Sequence, residues 1–243
     1  MPIGIETLGT VAVVTIDEPA TRNALNGKSG LELLDRLNQV SDDKSIAALV
    51  LRGSEGHFCA GADRALLAEA RKRPYDPEIS SALETIYESF VRLGSMPVPT
   101  IAALRGAAVG AGVNLALAAD VRIAGHDARL LSGFLRIGIH PGGGHFAMLD
   151  RLAGPQTTVA MTLLGEEIKG TRLVDLGLAW EVLDDALVED RAIELASRLT
   201  DAALTRQTIA TFRAQAQSRQ LPMAAAVRAE QAAQLLSLAR LRP

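Results

Sequence analysis

The chain of 243 residues has one cysteine, Cys59. A lone thiol excludes an internal disulfide framework and a cysteine-based zinc site, and no metal site is expected. It suits a reducing, cytoplasmic compartment. Aromatic residues amount to only 3%, which leaves little for nucleobases to stack on. No cluster of Lys and Arg reads as a phosphate-backbone track, and the 25 basic residues are outnumbered by 28 acidic ones. Nucleic acid is therefore not an expected partner. Long apolar runs are missing too. The longest, Ile46 to Leu51, is far too short to span a bilayer. No basic segment precedes an apolar core near Met1, so neither membrane insertion nor a secretory signal is expected.

What the sequence does have is small and aliphatic. Hydrophobic residues make up 48% of it, and with so few aromatics the core must be built from Ala, Leu, Val and Ile. Gly4–Leu8 and Val11–Ile16 flank Gly9-Thr10 as a hairpin would. Asn26 is placed to cap a helix with Leu31, Leu34, Leu37 and Val40 at core spacing. Ile46–Leu51 reads as a buried strand, Glu78–Leu93 as a helix and Pro97–Leu104 as a further strand. Val121–Ala124 and Ala128–Leu131 read as short strands, and Pro141-Gly142-Gly143-Gly144 opens one more helix. After about Gly154 the pattern turns to helices joined by short turns. Thr171 is placed to cap one that stops at Gly177, and Leu187–Leu199 and Pro222–Leu238 are amphipathic. The class is α/β, with residues 1–153 as the core and 154–243 as a helical C-terminal region.

Two glycine loops, each following a buried strand, stand out. One ends at Ala60-Gly61-Ala62-Asp63, the other at Gly110-Ala111-Gly112. Such loops bring main-chain N–H groups close to a bound group at the positive end of a helix. A pair of them suits a phosphate, or a carbonyl oxygen that becomes an enolate or oxyanion. The alternative is close packing of helix on sheet. Other templates fit badly. Leu115 stands where a dinucleotide fingerprint needs its last glycine, and there is no phosphate-binding G-x-x-x-x-G-K-[ST]. No nucleophile elbow G-x-S-x-G occurs. The four histidines, His57, His126, His140 and His145, lack the i, i+4 pairing of a helical metal site.

Five segments in order resemble the crotonase family of enoyl-CoA hydratases and isomerases. They are Arg22-Asn23-Ala24-Leu25, Phe58 to Asp63, Gly106 to Asp120, Gly138 to Gly144, and Gly177-Leu178 ahead of a strand. The resemblance implies a spiral of repeated ββα units whose helical C-terminal region assembles trimers, often paired as hexamers. It implies an acyl-coenzyme A thioester as ligand, with no separate cofactor. The backbone N–H groups of Ala62 and Ala111 would hold the thioester oxygen. Ala24, Ala60, Gly61, Asp63 and Gly110 would line the coenzyme site, with Arg22 near the ribose phosphate. Arg206 or Arg213 would stand in for a lysine that many members carry near the C-terminus. The apolar Ala224, Val227, Ala232, Leu235 and Leu236 would face neighbouring subunits.

Departures from the family pattern bear on the chemistry. Hydratases place one glutamate where this chain has Asn114 and the other where it has Phe134. Members with an aspartate near the proline find Pro141 and Gly142 here. Hydration needs a base to activate water and an acid to protonate the α-carbon, and neither an amide nor a phenyl ring exchanges protons near neutrality. Phe134 and Gly112 are expected in the wall of the acyl pocket. His140 and His145 flank the glycine turn, and imidazole titrates in the useful range. Each is read either as a replacement acid–base group or as structure, His140 packing the turn and His145 exposed at a helix start. Two functions stay open: an enzyme stabilising an enolate or oxyanion by non-standard means, or a catalytically silent acyl-CoA carrier or sensor.

Overall fold

The computed structural model describes residues 2–216 together with 225, 230, 231 and 234. Alternating small and aliphatic residues build a six-stranded sheet that is covered on both faces. It opens with the hairpin β1 (Ile3–Leu8) and β2 (Val11–Ile16), turned at Gly9. Then come β3 (Ala48–Gly53), β4 (Thr100–Leu104), β6 (Val121–Gly125) and β9 (Glu181–Leu183), all parallel, in the order β1-β2-β3-β4-β6-β9. Side chains alternate across a strand. Ala12, Val14, Leu49, Leu51, Ala102 and Leu104 therefore enter the main core. Val11, Val13, Ala48, Val50, Ile101 and Ala103 face the opposite way, against Val188, Ala192 and Ala196 of α7 (Val188–Ser197).

A second sheet is small. It joins β5 (Ala107–Val109), β7 (Arg129–Leu131) and β8 (Glu167–Lys169). The units β4-β5-α4 (α4, Ala111–Ala118) and β6-β7-α5 (α5, His145–Thr162) take the same step. Each sends its first strand to the large sheet and its second to the small one, parallel to the preceding unit in both. Cys59 bridges to Ala108 and extends the pattern one unit back. This is the expected ββα spiral.

The helices of the first half are α1 (Gly27–Asp42), α2 (Arg64–Lys72) and α3 (Pro77–Gly94). The cap on α1 is reciprocal: Asn26 Oδ1 accepts from Ser29 N at 3.0 Å, and Asn26 N donates to Ser29 Oγ at 2.8 Å. Its buried face runs through Leu33, Leu37 and Val40, whereas Leu31, expected inside, is exposed. The error is one of phase, since Leu33 and Leu37 lie four apart and Leu31 points from the opposite side. The strand expected from Pro97 starts at Thr100. Thr171 makes no side-chain cap on α6 (Arg172–Asp175), although Gly177 does end that turn with φ +71°. Strand β8 has no counterpart in the sequence reading, because three residues carry no period. The last fully described helix is α8 (Ala202–Ala216). Most of the expected helix Pro222–Leu238, including Ala224, Val227, Ala232, Leu235 and Leu236, lies outside the described residues. No described helix is long and apolar enough to cross a membrane.

Candidate functional site

The two glycine loops meet in one cavity of about 240 Å³, enclosed between α2, α3, α4 and the segment from Ser132 to Gly142. Ala62 and Ala111 both line it. The main-chain bonding leaves the N–H groups of both without an acceptor among the described residues. Leu25 N donates to Gly61 O at 2.7 Å and Asp63 N donates to Leu25 O at 2.7 Å, a parallel bridge that leaves the Ala62 N–H on its far side. Ala111 is the first residue of α4, where helical N–H groups lack internal partners. Neither amide donates to any group among the described residues. The loops are held close by packing that only glycine permits: a Cβ on Gly61 would sit 2.5 Å from Val109 O, and one on Gly112 only 2.1 Å from Cys59 O.

No aspartate or glutamate is among the described residues lining this cavity. Its ionisable side chains are Arg64, Tyr87 and His140, and burial pushes the Tyr87 hydroxyl above its ordinary range. Phe134 lines the cavity wall. Asn114 lines it too, but its side chain is spoken for. Nδ2 donates to Gly142 O at 2.8 Å, and Oδ1 lies 2.6 Å from His145 Nδ1. His145 Nε2 in turn lies 2.7 Å from Ser132 Oγ. His145 does start α5, but the exposure read for it is wrong: the residue is 1% exposed and its ring meets Phe134 edge-on with centroids 4.9 Å apart. Burial holds its pKa down at about 4, so the imidazole is neutral near pH 7.

Other expected residues fall at varied distances from the cavity. Ala60, Gly61 and Gly110 line it alongside the two alanines. His140 lines it as well, with Nδ1 2.7 Å from Pro141 O. Gly112, expected in the pocket wall, lies behind it against the Cys59 carbonyl. Asp63 caps α2, accepting from Ala65 N at 2.8 Å and Leu66 N at 3.1 Å. Arg22 is exposed in a left-handed turn, φ +57°, where its carbonyl accepts from Ala60 N, and Ala24 is buried beside it. Arg206 and Arg213 are not in the cavity wall: the first binds carbonyls at the end of α1, the second pairs with Asp120 at 3.0 Å. Cys59 is buried, and its thiol is pushed up to about 12 by desolvation, which removes it as a nucleophile.

Ser132 and Tyr87 line the cavity without having been singled out in the sequence. Ser132 did carry a signal. It follows directly on β7, and the carboxyl ends of parallel strands are where α/β folds collect ligands. Its contact with a histidine 13 positions on depends on the glycine turn and has no local signature.

The family described as enoyl-CoA hydratase/isomerase matches residues 6–240. The probable enoyl-CoA hydratase EchA14 of Mycobacterium tuberculosis is 41% identical over 187 residues, 77% of this chain and 71% of that protein. The 1,2-epoxyphenylacetyl-CoA isomerase of Escherichia coli is 33% identical over 192 residues, 78% of this chain and 72% of the isomerase. A crystal structure of an enoyl-CoA hydratase from Polaromonas sp. JS666 superposes with a TM-score of 0.86 at 26% identity, covering 97% of this chain and 91% of that one.

Proposed function

The chain belongs to the enoyl-CoA hydratase/isomerase family, within the crotonase superfamily, and from that membership we propose that its cavity binds an acyl-coenzyme A thioester. The thioester carbonyl oxygen sits between the Ala62 and Ala111 N–H groups. Charge that develops on that oxygen, as an enolate or a tetrahedral oxyanion, is stabilised by both donors. Each such donor contributes about 3 kcal/mol in a dry, preorganised site. Main-chain donors serve whatever the side chain is, so alanine suits both places. Phe134 and the apolar wall around it take the acyl group. Asn114 orients rather than transfers protons, because an amide neither gains nor loses a proton at neutral pH. The subunits assemble as trimers through the C-terminal helices.

The observation that carries this reading is the pair of unspent amides in a cavity without a carboxylate among its described lining residues. Two-carboxylate hydration of a 2-enoyl-CoA is disfavoured on the same ground. A positioned acid or base is worth about 10²–10⁴-fold, so crotonyl-CoA hydration by this chain is expected at or near background. The test follows the conjugated enoyl absorbance of crotonyl-CoA and longer enoyl-CoA esters. Turnover comparable with an ordinary hydratase overturns the assignment of Asn114 and Phe134 as non-catalytic in proton transfer. Binding is measured separately by calorimetry with acyl-CoA esters. Tight binding with no ester consumed favours a carrier or sensor over an enzyme.

A further inference from the structure

Ser132, His145 and Asn114 form a continuous chain of hydrogen bonds with a defined direction. The direction follows from the Asn114 amide. Its NH₂ group faces the Gly142 carbonyl oxygen at 2.8 Å, and the flipped amide would set two oxygens against each other. Oδ1 therefore faces His145 Nδ1, 2.6 Å away, and an oxygen there only accepts, so Nδ1 carries the imidazole proton. Nε2 then presents its lone pair to Ser132 Oγ at 2.7 Å, and the hydroxyl donates. Hydroxyl to imidazole to carbonyl oxygen is the order in which a serine is activated by a base that a third group orients.

The position of the serine matters as much. Val109 of β5 pairs with Leu131 of β7, and Gly110 N donates to Leu131 O at 3.0 Å. Ser132 is thus the next residue opposite Gly110, about 4.8 Å away by strand spacing, and Gly110 immediately precedes Ala111. Ser132 and Ala111 line the same cavity. All three relay side chains belong to residues that are about 1% exposed. No charged group perturbs the imidazole, whose shift is due to burial alone.

We propose that Ser132 is a nucleophile, with His145 as its base and Asn114 as the positioning residue, and that the site cleaves the thioester bond itself. The proposal rests on the acyl-CoA reading above. Ser132 Oγ bonds to the thioester carbonyl carbon while its proton passes to His145 Nε2. The carbonyl electron pair moves onto the oxygen, held by the Ala62 and Ala111 amides. On collapse the C–S bond breaks and the sulfur leaves as the free thiol with the proton from His145. The acyl group is then an ester on Ser132. A water gives its proton to His145 and attacks that ester, the ester C–O bond breaks, and Oγ recovers the proton. The sum is acyl-CoA plus water giving a carboxylic acid and coenzyme A. A neutral asparagine supports an imidazolium less well than a carboxylate does. A thiol, which ionises near pH 8.5, needs less acid help to leave than an amine. A thioester is the acyl donor matched to this relay.

The experiment uses butyryl-CoA and benzoyl-CoA as substrates and the thioether S-butyl-CoA as an uncleavable ligand. Wild type is expected to release free thiol from at least one ester, and intact-mass analysis to find the acyl adduct on Ser132. Ser132→Ala is expected to lower thiol release about a hundredfold or more, with S-butyl-CoA binding kept within about threefold. Asn114→Asp adds a buried charge beside His145 and should move the inflection of the pH–rate profile upward, which a merely structural contact would not do. Undiminished thiol release by Ser132→Ala overturns the proposal. So does S-butyl-CoA binding with neither thiol release nor adduct from either ester. If wild type fails to bind S-butyl-CoA, the coenzyme A reading falls. The relay is then judged by a fluorophosphonate probe: labelling of Ser132 that His145→Gln abolishes supports it, and no labelling overturns it.

Discussion

The imidazole of His145 has exchanged water for Phe134, Ser132 and Asn114, and that exchange has a measurable consequence. An exposed histidine binds its proton near pH 6.5, whereas here the folded-state pKa is about 4. Above pH 6.5 neither folded nor unfolded chain is protonated at this residue, and it adds no pH dependence. As pH falls from 6.5 toward 4 the unfolded chain takes up the proton first, so the folded state loses stability. The loss reaches about 3 kcal/mol at the lower end. Carboxylates titrate in the same window, so the clean measurement is a difference. The stability gap between wild type and His145→Gln, read from urea unfolding, should shrink by about that amount between pH 7 and pH 4. A constant gap would mean that the imidazole titrates alike in the folded and unfolded chain, as a solvated ring does. Position 145 also shows why a local reading fails: a residue just after a glycine turn usually faces water, but the turn here doubles back onto Asn114.

At the scale of elements, Arg206 and Arg213 both tie α8 to the rest of the fold, Arg206 through four main-chain carbonyls. Arg206 donates to Ser41 O at 3.0 Å, Val40 O at 3.1 Å and Ile46 O at 3.2 Å, and to Asp43 O as well. Val40, Ser41 and Asp43 stand at the end of α1, where a helix leaves carbonyls without partners, Ile46 lies just beyond, and a planar guanidinium reaches several of them together. Arg206→Ala is expected to cost roughly 2 kcal/mol, the value of a few hydrogen bonds to a charged donor less their exchange for water. Chemical denaturation measures this. Arg206→Lys should recover less than half, because an ammonium meets the carbonyls one or two at a time. Full recovery would show that charge alone, not the fork, holds α8. The same helix positions Arg213 on Asp120, which itself accepts from Thr100 N and Oγ, both at 2.9 Å. Both arginines that the family resemblance nominated for the ligand thus serve docking in this chain.

For the molecule as a whole, several large apolar groups among the described residues of the second half are exposed. Leu164 is 75% exposed, Trp180 71% and Leu163 52%. Side chains of this size are candidates for burial against another subunit if they adjoin in one patch. With the C-terminal assembly that the family resemblance implies, these side chains are the ground on which the trimer is proposed. Sedimentation at micromolar concentration should give a trimer or a pair of trimers, and a monomer would contradict it. A Trp180→Glu or Leu164→Glu substitution that leaves the assembly intact would place the interface elsewhere on the subunit.

Much of this molecule was written in short stretches of chain. The hairpin at Gly9-Thr10, the cap at Asn26, the two glycine loops and the α/β class all follow from propensity, spacing and the demands of positive φ, which act over a few residues. That Asn114 and Phe134 stand where family members carry glutamates is likewise what the resemblance of these short segments implies. What the sequence left undecided was who comes together. Asn114, Ser132 and His145 are separated by 31 and 13 positions along the hydrogen-bonded pairs, and nothing local joins them. Their meeting depends on the β5–β7 register, which sets Ser132 opposite Gly110. It depends too on Gly143, whose φ of +66° and missing Cβ let Asn114 and Tyr87 close over the turn. Local chemistry chooses the elements. Only their packing turns a buried histidine, an amide and a hydroxyl into one directed chain, because hydrogen bonds depend on distance and angle rather than on order in the sequence.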